Sequence, residues 1–278
     1  MSQSGLLALA GILGLILGSF VNVVATRLPA LLDHRARREA AGEVDLAADQ
    51  PPPGLWRPAS HCPACGTPLA VWQLLPLVGF ALLRGRCAAC GGAIPWRYPL
   101  LELLGAGIAL LAVQRFGWDA SGLAAGLFGL LLLAAAAIDA ETQILPDALV
   151  LPTLWLGLAV NAFELFAQPA SAILGAAIGY GALRLVNESY RLLRGRDGLG
   201  LGDCKLAAAL GAWVGWQALP LALLLAIALG VLSGLLLLLT RRQAADQPFA
   251  FGPMLAAAGF LVLLHGEALA TFYWSHLG

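Results

Sequence analysis

Gly122-Leu-Ala-Ala-Gly-Leu-Phe-Gly-Leu-Leu-Leu-Leu-Ala-Ala-Ala-Ala-Ile138-Asp139 is a run of about seventeen apolar residues closed by a single carboxylate. Apolar stretches of about twenty residues cross a bilayer as helices, because only a helix satisfies its own backbone polar groups in hydrocarbon. The run has company. Outward from it, apolar stretches of similar length lie near 5–26, 98–114, 148–167, 171–187, 205–219, 221–240 and 250–273. Together they predict an all-α polytopic membrane protein of about eight transmembrane helices. Composition agrees: the 278 residues are 60% hydrophobic and 12% charged, against about 25% charged in soluble domains. Net charge is zero, so no basic field points to nucleic acid. The first apolar run has no basic segment before it and reads as a retained span rather than a cleaved signal peptide.

Basic residues set the expected orientation. Arg27, Arg35, Arg37, Arg38, Arg57, Arg84, Arg86 and Arg97 fall in or beside the first long connection. Arg184, Arg191, Arg194, Arg196 and Lys205 flank the connection after the fifth run, and Arg241 and Arg242 follow the seventh. Eight alternating spans place all of these on one side and only Arg115 on the other, so the long connections are expected in the cytoplasm. Residues 31–60, with their charges and Pro51-Pro52-Pro53, read as a flexible connection. Val71–Leu83 is apolar, but it is short and contains Pro76, so it reads as a packed or interfacial segment and not a span.

Four of the five cysteines form two matching pairs, Cys62-Pro-Ala-Cys65-Gly and Cys87-Ala-Ala-Cys90-Gly. Two such loops bring four thiolates to one tetrahedral point, the geometry that Zn²⁺ takes in structural sites. A reducing cytoplasm makes paired disulfides the weaker reading. With Cys62, Cys65, Cys87 and Cys90 all as ligands, no position stays open for catalysis. The fifth, Cys204, has no histidine near it and reads as a small packing residue.

Asp139 closes the third apolar run and Asp203 opens the sixth, within Gly198-Leu-Gly200-Leu-Gly202-Asp203-Cys-Lys205. The expected topology puts both at the same face of the membrane. A carboxylate at a membrane boundary is costly to keep ionised, so two on one face suggest function. A pair that can share a proton is the working part of an aspartic protease. Each residue alone also reads as an inert helix end: Asp139 as a solvated C-terminal residue, Asp203 as an N-cap. For Asp147, after Pro146, the N-cap is preferred. The glycines before Asp203 allow close backbone approach, but no strand precedes them and no Gly-Lys-Ser/Thr follows, which excludes a phosphate-binding loop. The histidines lack metal-ligand spacing, and there is no Gly-x-Ser-x-Gly elbow.

In this order the motifs resemble the bacterial type IV prepilin peptidases, membrane aspartic proteases of the Gly-x-Gly-Asp kind, nearly end to end. The resemblance runs from Gly18-Ser19-Phe20-Val21-Asn22 through Arg27-Leu28-Pro29, the paired-cysteine segment and Arg97-Tyr98-Pro99-Leu100-Leu101-Glu102. It continues through Asp139 with Leu145-Pro146-Asp147, Gly200-Leu201-Gly202-Asp203 and Phe251-Gly252-Pro253. It implies three parts: a first transmembrane helix at 1–26, a cytoplasmic loop with a methyltransferase-associated zinc module at 27–97, and a peptidase core at 98–278. It implies a bifunctional enzyme of the bacterial inner membrane. This enzyme would cut the leader from prepilins or pseudopilins at the cytoplasmic face, with Asp139 and Asp203 catalytic. It would then N-methylate the new terminus with S-adenosylmethionine, serving a type IV pilus or type II secretion machinery. No S-adenosylmethionine motif is readable, so the resemblance assigns that cofactor no residues.

The chain departs from the family at Val71-Trp72-Gln73-Leu74-Leu75-Pro76, where an asparagine usually precedes Ile-Pro. A peptidase without methylation therefore stays open. So do a proton or cation transporter, which would want its carboxylates near mid-membrane, and a non-catalytic assembly factor, which would tolerate their loss. Glu39 and Glu43 are weak candidates to attract a basic leader.

Overall fold

The computed structural model describes residues 2–41, 52–239 and 250–277. Glu43, Pro51, Arg241 and Arg242 lie outside the described residues. Among those described, the regular structure is helical, with no strand and two isolated β-bridges, His61–Pro68 and Arg86–Ala93. The chain divides into two compact units, Met1–Leu110 and Leu111–Gly278.

The first unit contains α1 (Gln3–Ala41), a 3-10 turn (Val71–Leu74), α2 (Val78–Leu82) and most of α3 (Arg97–Phe116). α1 and α3 meet through small residues: a Cβ on Gly14 would lie 2.5 Å from the Gly105 carbonyl, and one on Gly18 2.6 Å from that of Leu101. Such close approach is how helices associate in lipid, where no hydrophobic drive separates them from their surroundings. Asn22 fastens the pair, its Nδ2 donating to the Tyr98 carbonyl at 3.1 Å.

The expected flexible connection over 31–60 is corrected at both ends. α1 continues past Pro29 to Ala41, because Arg35–Ala41 are strong helix formers and Asp33 pairs with Arg37 one turn on. On the far side, Arg27 Nη1 donates to the carbonyls of Gly54 (2.7 Å) and Pro58 (2.9 Å). Trp56 stacks on Phe20, with centroids 5.3 Å apart. Val71–Leu83 is divided at Pro76 into the 3-10 turn and α2, too short to span, as expected.

The second unit contains α4 (Ala120–Thr142), α5 (Asp147–Asn161), α6 (Pro169–Arg194), α7 (Leu201–Leu239) and α8 (Gly252–Leu277). Its core centres on Trp213, which is fully buried, stacks on Phe128 at 4.3 Å and donates its indole N–H to the Thr153 carbonyl at 2.7 Å.

α7 is two helices joined at Gly215, whose φ of 77° only glycine adopts without strain; a Cβ there would also lie 2.5 Å from Ser171 Oγ. The break frees carbonyls on the preceding turn. Buried Asn161 takes up two of them, donating to Ala212 (2.7 Å) and Trp213 (3.0 Å), while its Oδ1 accepts the N–H groups of Phe166 and Ala167. The second half turns back. Gly230 lies against Phe251, the neighbour of Gly252, which contacts Asp139.

Among the described residues, five helices are long and apolar enough to cross a membrane: Gln3–Ala40, Arg97–Phe116, Ala120–Thr142, Pro169–Arg194 and Leu201–Leu237. The expected count of about eight is not reached on this measure. Asp147–Asn161 and the apolar part of α8, Gly252–Gly266, are shorter, and two of the expected spans are the halves of α7. Each expected run nevertheless overlaps a helix, although the run 148–167 outlasts α5, which ends at Asn161.

Candidate active site

Asp139 lies in the last turn of α4. The helix stops there because Gln143 adopts a left-handed conformation, φ 56°, and donates its N–H back to the Asp139 carbonyl at 2.8 Å. The Asp139 side chain is 4% exposed and accepts the N–H of Gly252, the first residue of α8, at 2.9 Å. An unpaired N–H at a helix N-terminus favours a carboxylate. Only glycine fits at that position, because a Cβ would sit 2.7 Å from Asp139 Oδ2.

Asp203 lies in the first turn of α7. Its Oδ2 accepts the N–H of Gly200 at 3.3 Å, while its Oδ1 is buried with no hydrogen-bond partner among the described residues. Asp139 is near enough to act on Asp203 by Coulombic repulsion. The two carboxylates are therefore brought to one end of the unit by three helix termini: the end of α4 and the starts of α7 and α8.

Two supports for this end were not legible beforehand. Asn187 of α6 is 2% exposed. Its Oδ1 accepts the N–H groups of Gly198 and Leu199, both at 2.9 Å, and its Nδ2 donates to Asp197 at 3.1 Å. It thus holds the glycine-rich approach to Asp203. The only prior signal was an amide at the end of the apolar run 171–187, just before Glu188 and Ser189. The second support corrects the reading of Asp147. Pro146 occupies the N-cap, and Asp147 is the first residue of α5, where it takes a bidentate contact from Lys205 Nζ at 2.7 Å to both oxygens. Proline leaves the cap no side-chain acceptor, and a cation across the gap holds the aspartate instead. Gly202 completes the approach: a Cβ on it would lie 2.7 Å from Leu145 Cβ. Cys204 is fully buried, in keeping with a packing role.

In the first unit the four expected cysteines come together. The sulfurs of Cys62, Cys65, Cys87 and Cys90 all lie within 4.8 Å of one another, a group able to hold a metal ion, and none is in a disulfide. The two loops repeat one design. Gly66 N–H donates to Cys62 O at 2.8 Å and Gly91 N–H to Cys87 O at 2.9 Å. Both glycines have φ near 70°, the conformation that turns the chain after the second cysteine. The Cys65 thiol is lowered to about 6, first by the Thr67 side chain and then by the Thr67 backbone, so its thiolate is favoured. His61 stays outside the group, its ring near the Ala59 carbonyl. Gln73 is used locally, its Oε1 accepting the Ala70 N–H at 2.8 Å.

Residues 12–116 match the bacterial peptidase A24 N-terminal domain, and residues 126–235 match the type IV leader peptidase family. The chain is 42% identical over 271 residues to a prepilin leader peptidase/N-methyltransferase of Pseudomonas aeruginosa, covering 96% of this chain and 93% of that protein. Proteins of the same name from Dickeya chrysanthemi and Burkholderia pseudomallei are 46% and 44% identical. They cover 91% and 94% of this chain, and 90% and 85% of their own lengths. No solved structure matches the chain.

Proposed function

Because this chain belongs to the type IV leader peptidase family, we propose that it removes the leader from prepilins or pseudopilins and methylates the new amino terminus. Asp139 and Asp203 are the catalytic pair. The supporting observation is that a buried carboxylate held by one backbone N–H lies within Coulombic reach of a second, whose Oδ1 is buried with no partner among the described residues. Two carboxylates that repel one another in a buried setting favour a state in which one is protonated and one ionised. The ionised one takes a proton from water, and that water attacks the scissile carbonyl. The protonated one donates to the developing oxyanion or to the leaving amine. The pair titrates as a unit, so neither residue owns the acid or base role.

The enzyme is a multi-pass protein of the bacterial inner membrane. On the distribution of arginine and lysine, the aspartate end and the cysteine segment face the cytoplasm. The substrate helix reaches the aspartates from the lipid, its basic leader remaining in water, and the product serves a pilus or type II secretion machinery.

The cysteine group fits zinc. A tetrahedron of Zn–S bonds of about 2.3 Å has edges of about 3.8 Å, and Cys62 Sγ and Cys90 Sγ lie 3.9 Å apart. Four thiolates close the coordination sphere, so the ion is structural. The methyl donor is S-adenosylmethionine, which when bound supplies an electrophilic methyl group.

The test is cleavage of a purified prepilin by detergent-reconstituted protein with S-adenosylmethionine present, wild type beside Asp139→Asn and Asp203→Asn. Wild type is expected to release the leader and add one methyl, read by mass spectrometry. Each variant is expected to lose about 10²–10⁴-fold in rate, as removal of a proton-transfer group does. A folded single variant that cleaves near the wild-type rate sinks the pair.

A further inference from the structure

The first unit encloses a cavity of about 370 Å³ beside the cysteine group, with Cys62 and Cys87 in its wall. That is the volume range of small-molecule cofactor sites, roughly 300–1,000 Å³. The wall is mostly apolar, but two buried residues with acceptor groups, Asn22 and Glu102, are part of it. Asn22 is 2% exposed, and its Oδ1 is buried with no hydrogen-bond partner among the described residues. An orphaned buried acceptor costs about 1–3 kcal/mol, so a donor from outside the chain is the expected occupant. Glu102 is 7% exposed. It accepts the Leu77 N–H at 2.8 Å and a hydrogen bond from Ser19, which leaves acceptor capacity on a carboxylate.

The Leu77 contact has a backbone signature. Leu77 has φ 60° and ψ −41°, a conformation that leucine rarely adopts and that persists where surrounding structure imposes it. In that conformation its N–H is directed to Glu102. Tyr98 and Phe80 add aromatic surface to the same wall, which suits a cation. Arg27 lines the cavity too, with one Nη already given to the carbonyls of Gly54 and Pro58. Its fork has further N–H groups for a carboxylate.

We infer that this cavity is the S-adenosylmethionine site, with Glu102 facing the positive sulfonium and amino groups, Asn22 accepting an N–H of the donor, and Arg27 taking its carboxylate. The chemistry matches group by group: the donor carries a sulfonium, an ammonium and an exocyclic amine, all of which seek acceptors or negative charge, and one carboxylate. The zinc group's role follows: by fixing the two loops it fixes one wall of the cavity. This inference rests on the methylating half of the proposed function.

The experiment is binding of S-adenosylmethionine and of S-adenosylhomocysteine to the full-length protein in detergent. It uses titration calorimetry together with ultraviolet cross-linking of labelled S-adenosylmethionine and peptide mapping. Wild type is compared with Asn22→Leu and Glu102→Gln, and bound zinc and monodisperse elution report that each is folded. Wild type is expected to prefer the sulfonium form. Each variant is expected to weaken its binding about tenfold or more, and Glu102→Gln to erase the preference over S-adenosylhomocysteine. The cross-link is expected within residues 19–30 or 95–104. The mapping uses wild type alone, so it decides even if a variant fails to fold. Wild-type affinity in both variants, or a cross-link elsewhere in the chain, overturns the site and leaves methylation standing. A zinc-loaded wild type that cleaves prepilin yet binds no S-adenosylmethionine overturns the site and the methylating half together.

Discussion

The four cysteines are held by two short loops of one design, each closed by hydrogen bonds within a few residues, whereas the two aspartates are held by helices far apart in sequence. Asp139 depends on a backbone N–H from α8, and the approach to Asp203 depends on a buried amide from α6. The first site is local and needs only its loops and a metal. The second exists only when five helices have packed. Damage should therefore spread differently: into metal content in the first unit, into reaction geometry in the second.

The sharpest way to break this comparison is Gly252→Ala. The added methyl must push α8 away from Asp139, and a displacement of about 1 Å near a reacting group costs on the order of 10²-fold in rate. Prepilin cleavage is expected to fall by that much, mainly in kcat, with the protein still membrane-inserted and zinc-loaded. Unchanged cleavage would mean that the helix terminus does not position the carboxylate. Next comes Cys87→Ser. Metal analysis is expected to show zinc lost, and methylation is expected to drop about tenfold or more, since disturbing a metal's surroundings costs 10–100-fold in affinity or activity. Leader cleavage should drop less. An equal loss of both activities would show that the two sites are not independently held. The smallest effect is expected for Lys205→Met. Its pair with Asp147 is partly open to solvent, with side chains 32% and 53% exposed, so it is worth about 0–1 kcal/mol. Cleavage and the thermal midpoint should stay close to wild type. A large loss would mean that this support carries more of the aspartate end than its solvent-open geometry implies.

The difference between the regions also explains what could be read in advance. The cysteine group was legible because two Cys-x-x-Cys-Gly loops carry their geometry in their spacing. Pairing Asp139 with Asp203 was legible by a longer route, through span counting and the side on which arginines gather. Gly252 was visible only as part of a motif, without a role. Asn161, Asn187 and the Asp147–Lys205 contact left no usable pattern, because each joins elements whose separation in sequence says nothing about their distance in space. The extension of α1 to Ala41 was missed for another reason: charged residues read as connection when no neighbour is considered, although they are good helix formers.

By itself the sequence determined the helical, membrane-spanning class and the cysteine group, and it singled out the two aspartates as candidates, because hydrophobic runs of bilayer length and short metal-binding loops are local properties of a chain. Only the tertiary structure decided how the aspartates are held, that Gly215 folds one long apolar stretch back on itself, and that α1, α3 and the cysteine loops line a common cavity with Asn22, whose Oδ1 has no partner among the described residues. Those depend on close approach between distant helices, where a missing Cβ or one backbone N–H sets the geometry, and no periodicity along the chain records it.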